Sequence, residues 1–425
     1  MTKLGLSGIM ELTGLLVYSS LNPIGMKGAS TMTSSTGRRI AAIRTYVVEN
    51  GGGDYHSRGA EHWIVQQIST PMSIYPAYKE TRTSFGINAL KTIVVEVEAD
   101  DGTVGFGIST GGYPAAWLIM NHLDRFIVGQ PVGNTEQMWD QMYRASLYYG
   151  RKGLVMNAIS AVDLAVWDLL GRVRQEPVYA MIGGKVREEI EFYATGPRPD
   201  LAKEMGFIGG KMPLKYGQAD REEGMRKNVE QLAEMRGRVG DDFWMMLDCW
   251  MSLDLPYAQT LMQNCEDLGL KWIEECFNPD DYWSYRDLKK RAGNRIMVSG
   301  GEHEATRYGF RMLLEFCDID LIQPDVGWCG GLTELLKIGH LAETFGKLVV
   351  PHGSGVYSNH YVITKPNSPF SEYIMMSHDG ASVVPQFYPL IKDEPIPVNG
   401  KMKVSDAPGF GVELNREGLI EVKKD

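Results

Sequence analysis

Five residues in the second half of the chain, Asp248, Glu274, Glu302, Asp325 and His352, stand at the ends of short apolar runs: FWMMLD, LKWIEE, RIMVSGGE, IDLIQPD and KLVVPH. A carboxylate standing alone reads as a solvated surface group or a helix cap. Three in succession, beside runs that should be buried, are different, because a buried carboxylate is costly without a cation. Asp248, Glu274 and Glu302 offer oxygen ligands with no Cys or His among them. That donor set suits Mg²⁺ far better than Zn²⁺ or copper, and it leaves positions open for substrate oxygens. Asp325 and His352 close the next two runs. An Asp beside a His fixes its tautomer and raises its basicity, so the imidazole can take or return a proton near neutral pH. Glu372, in SEYIMM, either completes the ring, holding or polarising a substrate opposite the His, or is a polar barrel-layer residue with a structural partner.

For residues spread over a hundred positions to meet, the runs must be neighbouring strands whose C-terminal ends share one mouth. The texture of the chain supports this. From about Glu189, apolar runs (EFYAT, GFIGGKM and the six named above) alternate with amphipathic stretches such as EEGMRKNVEQLAEM, PYAQTLMQNCEDL, TRYGFRMLLEFC and TELLKIGHLAETF. Alternation of this kind is the pattern of βα units and a parallel sheet, and seven or eight units fit a closed barrel. Upstream the pattern is α+β: IAAIRTYVVE, then LKTIVVEVEADDGTVGFGIST turning at Asp101-Gly102, then helices over 134–183 with AISAVDLAVWDLLGRVR ending before Glu176-Pro177. The expected organisation is therefore an extension over 1–38, an α+β capping domain over 39–184 completed by the C-terminal segment 385–425, and a TIM-type (β/α) barrel over 185–384. Segment 4–17 is mildly apolar but contains Glu11 and precedes no small-residue cleavage site, so 1–38 reads as disordered rather than as a leader.

The order Asp, Glu, Glu, then Asp and His, preceded by AISAVDLAVWDLLGRVRQEPVYAMIGG, resembles the mandelate racemase subgroup of the enolase superfamily. The segments GGGDYHSRGAEHW, SFGINAL, FYATGPRPDLAKEMGFIGGKMP, MLDCWMS, KWIEEC, QPDVGWCGGL and VPHGSGVYS extend the likeness over nearly all of the chain after residue 39. The resemblance implies that Asp248, Glu274 and Glu302 hold Mg²⁺, that His352 with Asp325 is the acid/base, and that Glu372 contacts substrate and stabilises the transition state. It also implies that His56 and Arg82, in the cap, bind substrate. His62 and His303 have equally attractive neighbours, and the resemblance assigns them less clearly. The implied activity is that of a carbon-oxygen lyase, removing water from an acid sugar through an enediolate to give a 2-keto-3-deoxy acid, with L-rhamnonate ranked ahead of L-mannonate and L-lyxonate. One departure bears on mechanism. Where mandelate racemase carries Lys-x-Lys, this chain has Lys211-Met212-Pro213, and proline cannot be a second base. Racemisation needs proton transfer on both faces of the α-carbon, so a single catalytic His favours dehydration, with Lys215 the remaining candidate for a second base.

The 425 residues, 44% hydrophobic and 23% charged, suffice for more than one core. A formal net charge of -10 offers no basic footprint for nucleic acid or anionic membranes, and no run of about 20 apolar residues stands out as a span. The expected partner is a small-molecule acid sugar. Five cysteines without a regular framework suit free thiols in a reducing, cytoplasmic setting. Apolar stretches around Trp63 and Tyr148 fit either cap packing or contacts in a homo-oligomer.

Overall fold

A computed structural model describes residues 37–48, 61–66, 68–79, 84, 87–353 and 355–424. The expected site residues His56 and Arg82, and nearly all of the extension over 1–38, lie outside the described residues.

The N-terminal layer is an antiparallel sheet built from β1 (Ile40–Val48), β2 (Thr92–Ala99) and β3 (Val104–Thr110). The C-terminal strand Leu419–Val422 pairs with the outer edge of β1, so the two ends of the described chain share one sheet. Helices α1 (Thr135–Ser146) and α2 (Leu154–Arg174) cover it. The apolar repeat of α2 buries almost the whole helix, and it ends where Gln175 turns left-handed (φ 57°) before Pro177. By length and apolar character α2 is the one described helix able to cross a membrane, yet 89% of that stretch is buried inside the protein. Two glycines on β3 explain how closely α2 sits. A Cβ added at Gly105 would lie 2.2 Å from the Leu169 backbone nitrogen, and one added at Gly107 would lie 2.2 Å from the Ala161 carbonyl oxygen. Neither obstacle is a flexible side chain. Gly107→Val should therefore cost about 3 kcal/mol by overpacking, visible as a lower urea midpoint with unchanged slope.

Among the described residues, eight parallel strands follow in barrel order: β4 (Ile190–Thr195), β5 (Gly209–Pro213), β6 (Trp244–Asp248), β7 (Leu270–Glu274), β8 (Met297–Gly300), β9 (Leu321–Ile322), β10 (Leu348–Val349) and β11 (Ser371–Ile374). β11 pairs with β4, and between β10 and β11 the Ser368 hydroxyl bonds to the Val349 carbonyl while the Val349 N–H donates to Asn367 at 3.0 Å. Each of the eight apolar runs read from the sequence overlaps one of these strands, EFYAT and GFIGGKM each missing one end residue, Ile190 and Pro213. Side chains alternate across a strand, so Met246 shares the inward face with Asp248, and Trp272 with Glu274. Tyr193, Met246, Trp272, Leu321, Val350 and Phe370 pack into one apolar cluster inside the barrel. Each such buried side chain contributes about 1.5–3 kcal/mol. This floor fills the barrel below the carboxylates, which leaves the polar ends of the strands as the one layer free for chemistry.

The tail binds to both layers. Ile391–Lys392 pairs with Glu413–Leu414, and Lys401–Met402 runs antiparallel to the start of β4. It is clamped by His360, whose Nδ1 accepts the Tyr179 backbone N–H at 3.1 Å while Nε2 bonds to the Phe410 carbonyl at 3.1 Å. These partners require the neutral ring with its proton on Nε2, and burial, the largest cause, pushes its pKa down to about 4. An unfolded His near 6.5 binds the proton more readily, so the clamp's stability is complete above that pH and is lost as pH falls toward 4. Unfolding in urea at pH 7.5 and 4.5 should show a pH-dependent loss of about 2–3 kcal/mol that is absent from His360→Gln.

Candidate active site

Asp248 and Glu274 are the last residues of β6 and β7 and are paired in register, which holds their carboxylates side by side. Glu302 lies two residues beyond β8. Asp325 and His352 face each other in a single parallel bridge just past β9 and β10. Glu372 is the second residue of β11. All six are buried, and six strands thus deliver them to the C-terminal end of the barrel.

At the centre is Lys211 of β5, the first residue of Lys211-Met212-Pro213, fully buried. Its ammonium pairs with Glu274, lies 2.8 Å from Glu372 Oε1 and 3.6 Å from Asp248 Oδ2. Lys215, the other candidate, is exposed. The Glu274 carboxylate also accepts Gln323 Nε2 at 2.6 Å and Trp272 Nε1 at 3.0 Å. Asp248 Oδ1 accepts the Trp250 backbone N–H, and Glu302 Oε1 accepts the Trp250 indole N–H at 3.0 Å. Glu302 Oε2 is buried with no hydrogen-bond partner among the described residues. Three carboxylates thus surround one ammonium, and a fourth, Glu302, lies beside His352. Burial and mutual repulsion push Asp248 and Glu274 above the ordinary carboxylate range even against Lys211. Burial acts the same way on Glu372, but Lys211, His352 and the hydroxyl of Thr195 outweigh it and hold that carboxylate down at about 2. An all-oxygen donor set with excess negative charge and an orphaned buried oxygen fits a hard divalent cation at Asp248, Glu274 and Glu302.

His352 Nδ1 lies 2.8 Å from Asp325 Oδ2, while Asp325 Oδ1 accepts the Gly327 N–H at 2.7 Å. That arrangement puts the Nδ1 proton toward Asp325 and turns Nε2 toward Glu302 Oε2, 3.4 Å away. Burial alone would lower the imidazole pKa. The carboxylates of Glu302, Glu372 and Asp325 override it and raise it to about 10. Any cation bound by Glu302 removes part of that charge and frees Nε2 to accept a proton.

The remaining candidates separate. His62 is a structural residue by its contacts, with Nδ1 accepting the Ile64 N–H and Nε2 facing the Met376 carbonyl. Trp63 is buried, its indole donating to the Met375 carbonyl just past β11, so this side chain is internal packing; Tyr148, by contrast, is 99% exposed. His303 borders the site, with Nδ1 2.9 Å from Glu275 Oε2. Of the groups missed in the sequence, Gln323 had a legible signal, since it lies one residue beyond β9 in the same QPD run as Asp325. Trp250 had none, because its role depends on a left-handed turn (φ 40°).

The N-terminal layer holds the loop that carries Asp325. The Ser109 hydroxyl donates to Gly327 O at 2.6 Å, Trp139 Nε1 donates to Gly330 O at 2.6 Å, and the Gly330 N–H donates to Ser160. Asp163 accepts both the N–H and the hydroxyl of Thr333.

Comparison with known proteins matches residues 74–183 to the mandelate racemase / muconate lactonizing enzyme N-terminal domain and residues 200–418 to the enolase C-terminal domain-like family. A Caldivirga maquilingensis protein, provisionally named an L-rhamnonate dehydratase, is 60% identical over 90% of this chain and 96% of its own. The crystal structure of rhamnonate dehydratase from Gibberella zeae, complexed with Mg, superposes with a TM-score of 0.88 at 50% identity, covering 90% of this chain and 96% of that one. The 3,6-anhydro-D-galactonate cycloisomerase of Zobellia galactanivorans is 28% identical with a TM-score of 0.71, covering 89% and 97%. With both halves matched and a relative at this identity, the chain belongs to the mandelate racemase / muconate lactonizing enzyme family of the enolase superfamily.

Proposed function

We propose that the protein removes water from an acid sugar, L-rhamnonate first among candidates, to give the 2-keto-3-deoxy acid. The observation that carries this reading is the imidazole of His352, oriented by Asp325 at the barrel mouth, while neither lysine offers a second base: Lys211 is committed to three carboxylates and Lys215 is exposed. Asp248, Glu274 and Glu302 would hold Mg²⁺. Bound there, the ion supplies Lewis-acid stabilisation for the negative charge that builds on the substrate carboxylate as the C2 proton leaves. His352 Nε2 takes that proton, and Asp325 stabilises the imidazolium. The same Nε2–H then protonates the departing 3-hydroxyl, so that one water leaves and the enol becomes the keto acid. Glu372, fixed by Lys211, Thr195 and the Gly353 N–H, adds fixed negative charge facing the imidazolium. His56 and Arg82 remain proposed substrate contacts from the cap.

We further propose that residues 39–184 with 385–425 act as the cap and 185–384 as the catalytic barrel, and that the enzyme works in the cytoplasm as a homo-oligomer. Five free, buried cysteines support a reducing compartment, and exposed Trp117, Tyr148 and Tyr149 offer apolar surface for a second copy. The test of function is a panel of acid sugars assayed for 2-keto-3-deoxy products with Mg²⁺ and with EDTA. Turnover of L-rhamnonate that EDTA abolishes is the expected result. Turnover of another acid sugar replaces the substrate, and epimerised acid without keto product replaces the reaction.

A further inference from the structure

One buried ionic pair beside the site takes no part in the chemistry above. Glu275 is 1% exposed and adopts a left-handed backbone (φ 42°), which interrupts the strand alternation directly after Glu274. Its carboxylate faces His303: Nδ1 lies 3.0 and 2.9 Å from its two oxygens, and the His303 backbone N–H points at Oε1 from 3.3 Å. A carboxylate only accepts, so Nδ1 carries the proton and the outward atom of the ring is Nε2. That nitrogen is buried and has no hydrogen-bond partner among the described residues.

The ring's surroundings place it within the reaction chamber. Trp328 lies against His303 and His352 alike, at 5.5 Å and with tilts of 37° and 38°. Glu302 also lies between the two imidazoles, with Oε1 3.5 Å from His303 Nδ1 and Oε2 3.4 Å from His352 Nε2. Trp250 bounds the other side at 5.7 Å. A nitrogen oriented by a buried carboxylate, walled by two indoles and without a partner among the described residues, is built to meet a polar atom of a ligand. We propose that His303, held by Glu275, bonds a hydroxyl of the acid sugar beyond C3 and so makes the site selective for polyhydroxy acids over simple 2-hydroxy acids. This rests on the acid-sugar reading above.

The competing role is metal ligation, since Glu275, Glu302 and His303 bring ligand atoms within 4.8 Å of one another. The test uses the full chain saturated with Mg²⁺, the variants His303→Asn, His303→Gln and Glu275→Gln, and acid sugars lacking the C4 or C5 hydroxyl. Expected for His303→Asn is a fall in kcat/KM of about 10- to 100-fold on the hydroxylated substrate. For one deoxy analogue, wild type and variant become equal, Mg²⁺ affinity by titration is unchanged, and His303→Gln recovers part of the loss. Glu275→Gln shows the same selectivity change in weaker form. A tenfold loss of Mg²⁺ affinity, or discrimination among the sugars as in wild type, overturns the proposal. A wild-type enzyme that turns over no acid sugar removes the functional reading itself, and this inference with it.

Discussion

Replacing His352 by Asn should lower kcat by about 10³–10⁴-fold, because the one imidazole is asked both to remove the C2 proton and to deliver it to the leaving hydroxyl. Asn is smaller than the ring and keeps a polar group near Asp325, so the fold should hold and Mg²⁺ binding should stay within a few-fold of wild type. The discriminating measurement is exchange of the C2 proton with D₂O during turnover, followed by NMR. If His352 is the base, exchange disappears together with product. If exchange persists in the variant, another group abstracts the proton and the role assigned to His352 falls.

Lys211→Met should destabilise the metal-free protein by about 3–5 kcal/mol, the range found when one partner of a buried ionic cluster is removed. Lys211 is fully buried among Asp248, Glu274 and Glu372, and Met matches its length while leaving those carboxylates without their cation. Urea unfolding with and without Mg²⁺ checks the cause. The loss should be largest in EDTA and smaller at saturating Mg²⁺, since a bound divalent ion replaces part of the missing charge. A variant as stable as wild type in EDTA would mean that these carboxylates are protonated or hydrated and do not depend on the ammonium.

The barrel was legible because its runs are short, strongly apolar and regularly spaced, and because Asp248, Glu274, Glu302, Asp325 and His352 all fall where such runs stop. Register did the rest: strands paired in parallel bring residues at equivalent positions to one rim. The position of Lys211 was less legible. A lysine inside GGKMP gives no sign that it will be fully buried, and only the three carboxylates converging on it make that burial tolerable. Glu275 was hidden for a different reason, since strand periodicity would turn it away from Glu274 and only the left-handed backbone brings it to His303. Trp250 reaches Glu302 through the same kind of turn.

The bonds from Ser109, Trp139, Ser160 and Asp163 to the segment Gly327–Thr333 join residues 170 to 218 positions apart. The orientation of Asp325, and through it of His352, therefore depends on a part of the polypeptide made well before the strands that carry them. A chain expressed from Gly184 onward would contain every residue assigned to the chemistry and still lack the support that aims its base. Hybrid enzymes assembled from two relatives should accordingly be joined so that this loop and the helix Leu154–Arg174 come from the same parent.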